Sequence, residues 1–142
     1  MNPDEGAFLK MRTLTTLTTA LACVILLACS DDPSGIESLP ECNGGVTVTV
    51  SAGIEPTFSW TPACRLFGVL VEEGGPDVWL ILSLGSNSIT PPVRYGVVPQ
   101  GATEREDPVP LVAGVTYDVT LARFTGPGDD DGELIANQEF TP

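Results

Sequence analysis

From Val46 onward the chain never holds one apolar rhythm for long. Short alternating runs are cut by Gly, Pro or Asn before a helix could complete three turns. The runs are Val46–Ser51, Thr57–Thr61, Arg65–Glu72, Asp77–Leu84, Val93–Val98, Val115–Arg123 and Glu133–Phe140. The breaks between them include Gly74-Gly75-Pro76, Gly85-Ser86-Asn87, Pro91-Pro92 and the Gly126–Gly132 segment. Alternation with period two, bounded by turn residues at such spacing, reads as β-strands of a sandwich. The expected fold is therefore all-β, a sandwich of about seven antiparallel strands over residues 42–142. Gly101–Pro110 reads as an acidic loop, and no internal repeat is present.

The N-terminal segment has a different character. Lys10 and Arg12 precede an apolar run, Leu21 and Cys23 to Leu27, which ends in small residues. A charged start, an apolar stretch and small residues before a cut make a secretory signal peptide. The run is shorter than the ~20 residues a membrane span needs, and five threonines between 13 and 19 interrupt it. Leu26-Leu27-Ala28-Cys29 resembles the lipobox of bacterial lipoproteins. That resemblance implies cleavage before Cys29 and acylation of its thiol and new amine. Two or more acyl chains hold a protein stably on a membrane, where one does so only marginally. The expected organisation is a signal peptide at 1–28, a lipidated Cys29 with a flexible tether at 29–41, and the sandwich domain at 42–142. Met11 makes a better start than Met1, because Asp4 and Glu5 put acid where basic charge belongs. Asp31 and Asp32, rather than the residue after Cys29, carry acid, which in lipoproteins of two-membrane bacteria points to the outer membrane.

Charge excludes whole classes of partner. Residues 29–142 carry seventeen acidic residues against four arginines, and Lys10 is the only lysine of the chain. Such a surface repels phosphate backbones and anionic lipid heads, so nucleic acid is excluded and membrane attachment must be covalent.

With Cys23 lost with the signal and Cys29 lipidated, Cys42 and Cys64 remain in a compartment where disulfides persist. Their midpoint is Gly53, inside a turn between the first two strands. A hairpin folded about Gly53 sets Val48 opposite Phe58, Val46 opposite Trp60 and Cys42 opposite Cys64. A Cys42–Cys64 disulfide is therefore expected.

Two stretches resemble the fibronectin type III family, or more loosely an Ig-like domain. Phe58-Ser59-Trp60-Thr61-Pro62 matches that family's buried second-strand tryptophan. Leu111, Gly114, Tyr117 and Val119 match the segment leading into its sixth strand, with Ala113 in place of the usual Pro. The resemblance implies that Trp60 is buried and that the Tyr117 hydroxyl bonds back to upstream backbone, pinning a corner.

Chemistry is scarce. There is no histidine, which removes the usual Ser-His and Cys-His bases. Catalysis and cofactors are not expected. The one candidate for a metal is the acidic turn, where Asp129, Asp131 and Glu133 alternate as Ca²⁺ ligands in loops do. The candidate binding surface is Trp79 and Ile81, read as the outward face of Asp77–Leu84 beside Tyr95; the alternatives are that a neighbouring loop covers this face or that Trp79 is a core residue. Val78, Leu80, Leu82 and Leu84 then form its core face. The expected function is a non-catalytic envelope module that binds protein or glycan; the alternative is a Ca²⁺-binding surface module.

Overall fold

The computed structural model describes residues 39–126 and 132–142, all within the compact unit Glu37–Pro142. Cys29, the signal peptide, the tether before Leu39 and the candidate ligands Asp129 and Asp131 lie outside the described residues. Among the described residues eight strands form: β1 (Thr47–Val50), β2 (Thr57–Thr61), β3 (Gly68–Glu72), β4 (Asp77–Ser83), β5 (Val93–Arg94), β6 (Ala102–Glu106), β7 (Tyr117–Phe124) and β8 (Gly132–Phe140). They make two antiparallel sheets, β1-β2-β5 and β6-β4-β3-β7-β8. The fold is an all-β sandwich, as the period-two runs predict.

The core lies between the sheets. Phe58 and Trp60 of the small sheet meet Val69, Val71, Tyr117, Val119 and Leu121 of the large one, all buried. Phe140 bridges the two layers, edge-on to Phe58 at 5.7 Å and stacked on Tyr117 at 5.7 Å. Each such side chain contributes about 1.5–3 kcal/mol when fully buried. The Tyr117 hydroxyl accepts the Val112 N–H at 3.0 Å, the backward tie expected at that corner. Gly114, at φ +83°, lets the chain turn sharply between them.

Four expectations need correction. The first is the hairpin register: Val48 faces Trp60 and Val50 faces Phe58, two residues away from the expected pairing. The expected register would seat Pro56 in the ladder, where it has no N–H to give. Instead Ser51 and Thr57 close the loop, the Ser51 N–H donating to the Thr57 carbonyl at 3.0 Å and the Ser51 hydroxyl accepting the Thr57 N–H at 2.8 Å. A shift of two keeps every side chain on its face, so Val48, Phe58 and Trp60 still point into the core. The Cys42–Cys64 disulfide forms all the same, with Cα atoms 5.0 Å apart. It lies past the end of the ladder, held by the Cys42 N–H on the Arg65 carbonyl (3.1 Å) and the Trp60 indole N–H on the Cys64 carbonyl (2.8 Å).

Second, residues 101–110 are not all loop. Ala102–Glu106 is an edge strand paired to β4, with Ile81 opposite Glu104 and Ser83 opposite Ala102. Charged side chains are a common device for protecting a sheet edge, and they hide the strand from a search for alternating apolar residues. Third, the Val93–Val98 run supplies only a two-residue strand. Gly96, at φ +71°, turns the chain, and the Val97 N–H returns to the Arg94 carbonyl at 3.1 Å.

Fourth, β4 presents the opposite face to the one expected. Trp79 and Ile81 are fully buried, whereas Leu84 is 72% exposed and Leu80 and Leu82 are half-buried; of the expected core face Val78 alone is buried. Both faces of this run are apolar, so alternation alone does not choose between them. The choice is made by the indole. Its N–H reaches Glu104 Oε1 at 2.9 Å, and its ring lies 5.2 Å from that of Tyr95. Burying the larger ring with its polar edge satisfied removes more apolar surface than burying a leucine. A bulge makes this register possible: Val71 pairs with Trp79 and Glu72 with Asp77, leaving Val78 as the extra residue.

Candidate binding groove

Of the proposed binding surface, Trp79 and Ile81 are thus core residues, and Tyr95 is nearly so. Tyr95 nevertheless organises a surface feature. Its N–H donates to the Pro56 carbonyl at 2.8 Å, tying the turn after β5 to the β1–β2 connection. Its hydroxyl donates to the Val109 carbonyl at 2.6 Å and lies 3.2 Å from the Val78 carbonyl. The Val109 N–H also bonds the Val78 carbonyl, at 3.0 Å. Gly96 lies beside Pro108, where an added Cβ would make ordinary contact with the proline ring at 3.6 Å.

Three segments are thereby held apart at fixed spacing: 54–55, 94–97 and 108–111. Between them lies a groove of about 420 Å³ with Tyr95 among its lining residues. Ile54, Val97 and Val109 line it while remaining 56%, 50% and 51% exposed. Arg94 and Glu55 also line it and form an ion pair with each other. Burial pushes the Tyr95 hydroxyl up to about 12, with the neighbouring Tyr117 adding to the effect. It therefore remains a neutral donor at any ordinary pH. Apolar walls, one guanidinium and one carboxylate suit a ligand with apolar side chains and hydrogen-bonding backbone.

Groove residues were readable only indirectly. Ile54 lies in a turn, and Val97 and Val109 lie beside Pro99, Pro108 and Pro110. Apolar residues among turn-formers, with no strand to bury them, are the available signal.

Glu133, the described member of the acidic turn, accepts from Arg123 Nε at 2.8 Å. Among the described residues no group of three or more His, Cys, Asp or Glu is arranged to hold a metal ion. No family model, curated protein or solved structure matches the chain.

Proposed function

We propose that this protein is a lipid-anchored module of the bacterial cell envelope that binds a partner protein without catalysis, through the groove beneath Ile54, Val97 and Val109. The observation that carries the reading is the exposure of these three apolar side chains around a groove whose walls Tyr95 fixes. Exposed apolar surface rimmed by charge is characteristic of protein-binding sites. Two further features support the placement. Leu26-Leu27-Ala28-Cys29 has the lipobox form, and a Cys42–Cys64 disulfide suits an oxidising compartment. The likeness to fibronectin type III domains gains support from buried Trp60 and the Tyr117 tie.

A protein ligand is favoured over a glycan. Sugar recognition by stacking needs an exposed aromatic plate, and both tryptophans and both tyrosines of the chain are buried. The Ca²⁺ reading has less support, because the Glu133 carboxylate is already held by Arg123.

A photo-crosslinking residue placed at Val97 or Val109 in cells of the source organism tests the reading. The expected result is one or a few discrete adducts, lost when Ile54→Asp is added and absent with the crosslinker at Thr49. Adducts that form equally from Thr49, or none from either valine, would defeat it.

A further inference from the structure

The groove leaves the outer face of the five-stranded sheet unused. The outer face of the five-stranded sheet can be followed row by row from the strand register. Asp77, Glu72, Asp118 and Glu139 stand opposite one another across β4, β3, β7 and β8. Two residues along β3, β7 and β8, about 6.7 Å away, and three along β4 because of the Val78 bulge, Leu80, Leu70, Thr120 and Asn137 make the next row. Leu82, Gly68, Ala122 and Leu134 make the third. Bare Gly68 lets Leu82 lie flat: a Cβ there would come within 2.9 Å of the Leu82 Cδ2 atom. Leu134 is 71% exposed and Leu70, Leu80 and Leu82 are half-buried, while Thr120 is buried within the middle row, its hydroxyl accepting from Asn137 Nδ2 at 2.8 Å; no described strand packs on the face.

We infer that this face docks a segment of a partner protein whose apolar strip is bordered by lysine or arginine. The leucine rows supply the apolar floor. The carboxylate row supplies a border of one sign, about 14 Å long from its first strand to its fourth. Like charges directly opposite in a sheet are destabilising, and a row of four keeps that cost unless cations neutralise it. Among the described residues one arginine, Arg105 on β6, is outside an ion pair, and it stands opposite no member of the row. Of its four arginines after residue 12, Arg65, Arg94 and Arg123 pair with Glu41, Glu55 and Glu133, none of them in the row. A second copy of this chain is excluded as the occupant on the same ground, since it brings net charge −13 and almost no free cation. Complementary charge also steers encounter and rejects wrong partners, which suits an acidic face on an acidic protein.

The test uses the full chain and a fluorescein-labelled dodecapeptide of alternating leucine and lysine as probe. Alternating serine and lysine, and alternating leucine and glutamate, serve as controls. Binding is expected only for the leucine–lysine peptide, and it should weaken as salt rises. Glu72→Gln/Asp118→Asn/Glu139→Gln should weaken it at least tenfold, and Leu70→Thr/Leu80→Thr should do the same. Removing three carboxylates off the row, Asp32→Asn/Glu73→Gln/Asp107→Asn, should change affinity less than twofold. Val97→Asp in the groove should leave it unchanged, which separates this face from the groove. The melting temperature of the row variant should equal or exceed that of the wild type, because repulsion is removed. Equal losses in the two triple variants, equal binding of the serine–lysine peptide, or a lowered melting temperature of the row variant would each overturn the proposal.

Discussion

Tyr95 and Trp79 show how much rests on single side chains here. Burial, with the neighbouring Tyr117 adding to it, pushes the ionisation of the Tyr95 hydroxyl up to about 12 from an ordinary 10. The folded state thus keeps a proton that the unfolded chain releases above pH 10. Stability from this group is complete below pH 10 and is lost as pH rises through 12, by about 2–3 kcal/mol in all. Tyr95→Phe should therefore lose less stability between pH 10 and 12 than the wild type, as read by denaturant unfolding at each pH. An unchanged alkaline slope would remove Tyr95 as its source. Trp79 has a different importance. Trp79→Ala opens a cavity and leaves Glu104 without its indole donor, for about 3–5 kcal/mol, and a melting temperature lower by roughly 15 °C or more. A loss below about 1 kcal/mol would mean that the ring is not in the core. The sequence could not rank Trp79 against Leu80, because both faces of β4 are apolar. Nothing local in Ala102–Glu106 shows that Glu104 will accept the indole N–H across a strand pair. Trp60 and Tyr117 were legible, because each sits among spaced neighbours that define its surroundings.

Strands were legible wherever apolar residues alternate on a half-buried sheet, and illegible where another force sets the structure. β6 is held by backbone pairing to β4 while its own side chains are mostly charged. β5 is cut short by a glycine turn, although apolar residues continue to Val98. In the β1–β2 hairpin the missing proline donor outweighs the symmetry of the cysteines about Gly53, which alone sets a register two residues away. The disulfide forms in either register because chain on either side of the ladder, Cys42 to Val46 and Pro62 to Cys64, absorbs the offset. It then closes the first two strands into a loop, removing freedom from the unfolded chain. Cys42→Ala/Cys64→Ala should cost about 3 kcal/mol while the β1–β2 pairing remains. Guanidinium unfolding of the wild type with and without reductant checks this: the reduced protein should match the double variant. Equal midpoints in oxidised and reduced wild type would show that the bond adds nothing.

At the scale of the molecule, charge and anchorage decide what the domain can meet. A net charge of −13 disfavours anionic lipid heads and phosphate chains, so the membrane attachment proposed above would rest on acyl chains at Cys29. The groove residues show why function was harder to read than fold. Ile54, Val97 and Val109 are far apart in sequence, and only the pins at Tyr95 bring them together. The outer-face carboxylates are likewise ordinary surface acids until strand register lines them up. Such coincidences are set by tertiary structure, whereas a motif that resembles a lipobox, Leu26-Leu27-Ala28-Cys29, is local to the sequence. If Cys29 carries the anchor, the protein from its native membranes should begin at residue 29, with a mass raised by its acyl groups. It should also enter the detergent phase on phase separation. Cys29→Ser should abolish both the mass increment and the partitioning, while its disulfide and alkaline unfolding profile stay those of the wild type. A wild-type chain recovered with residues 1–28 attached and an unmodified Cys29 thiol would remove the anchor. The groove and the acidic face would then have to be sought in a freely diffusing protein, where any partner would have to bind without help from confinement to a membrane surface.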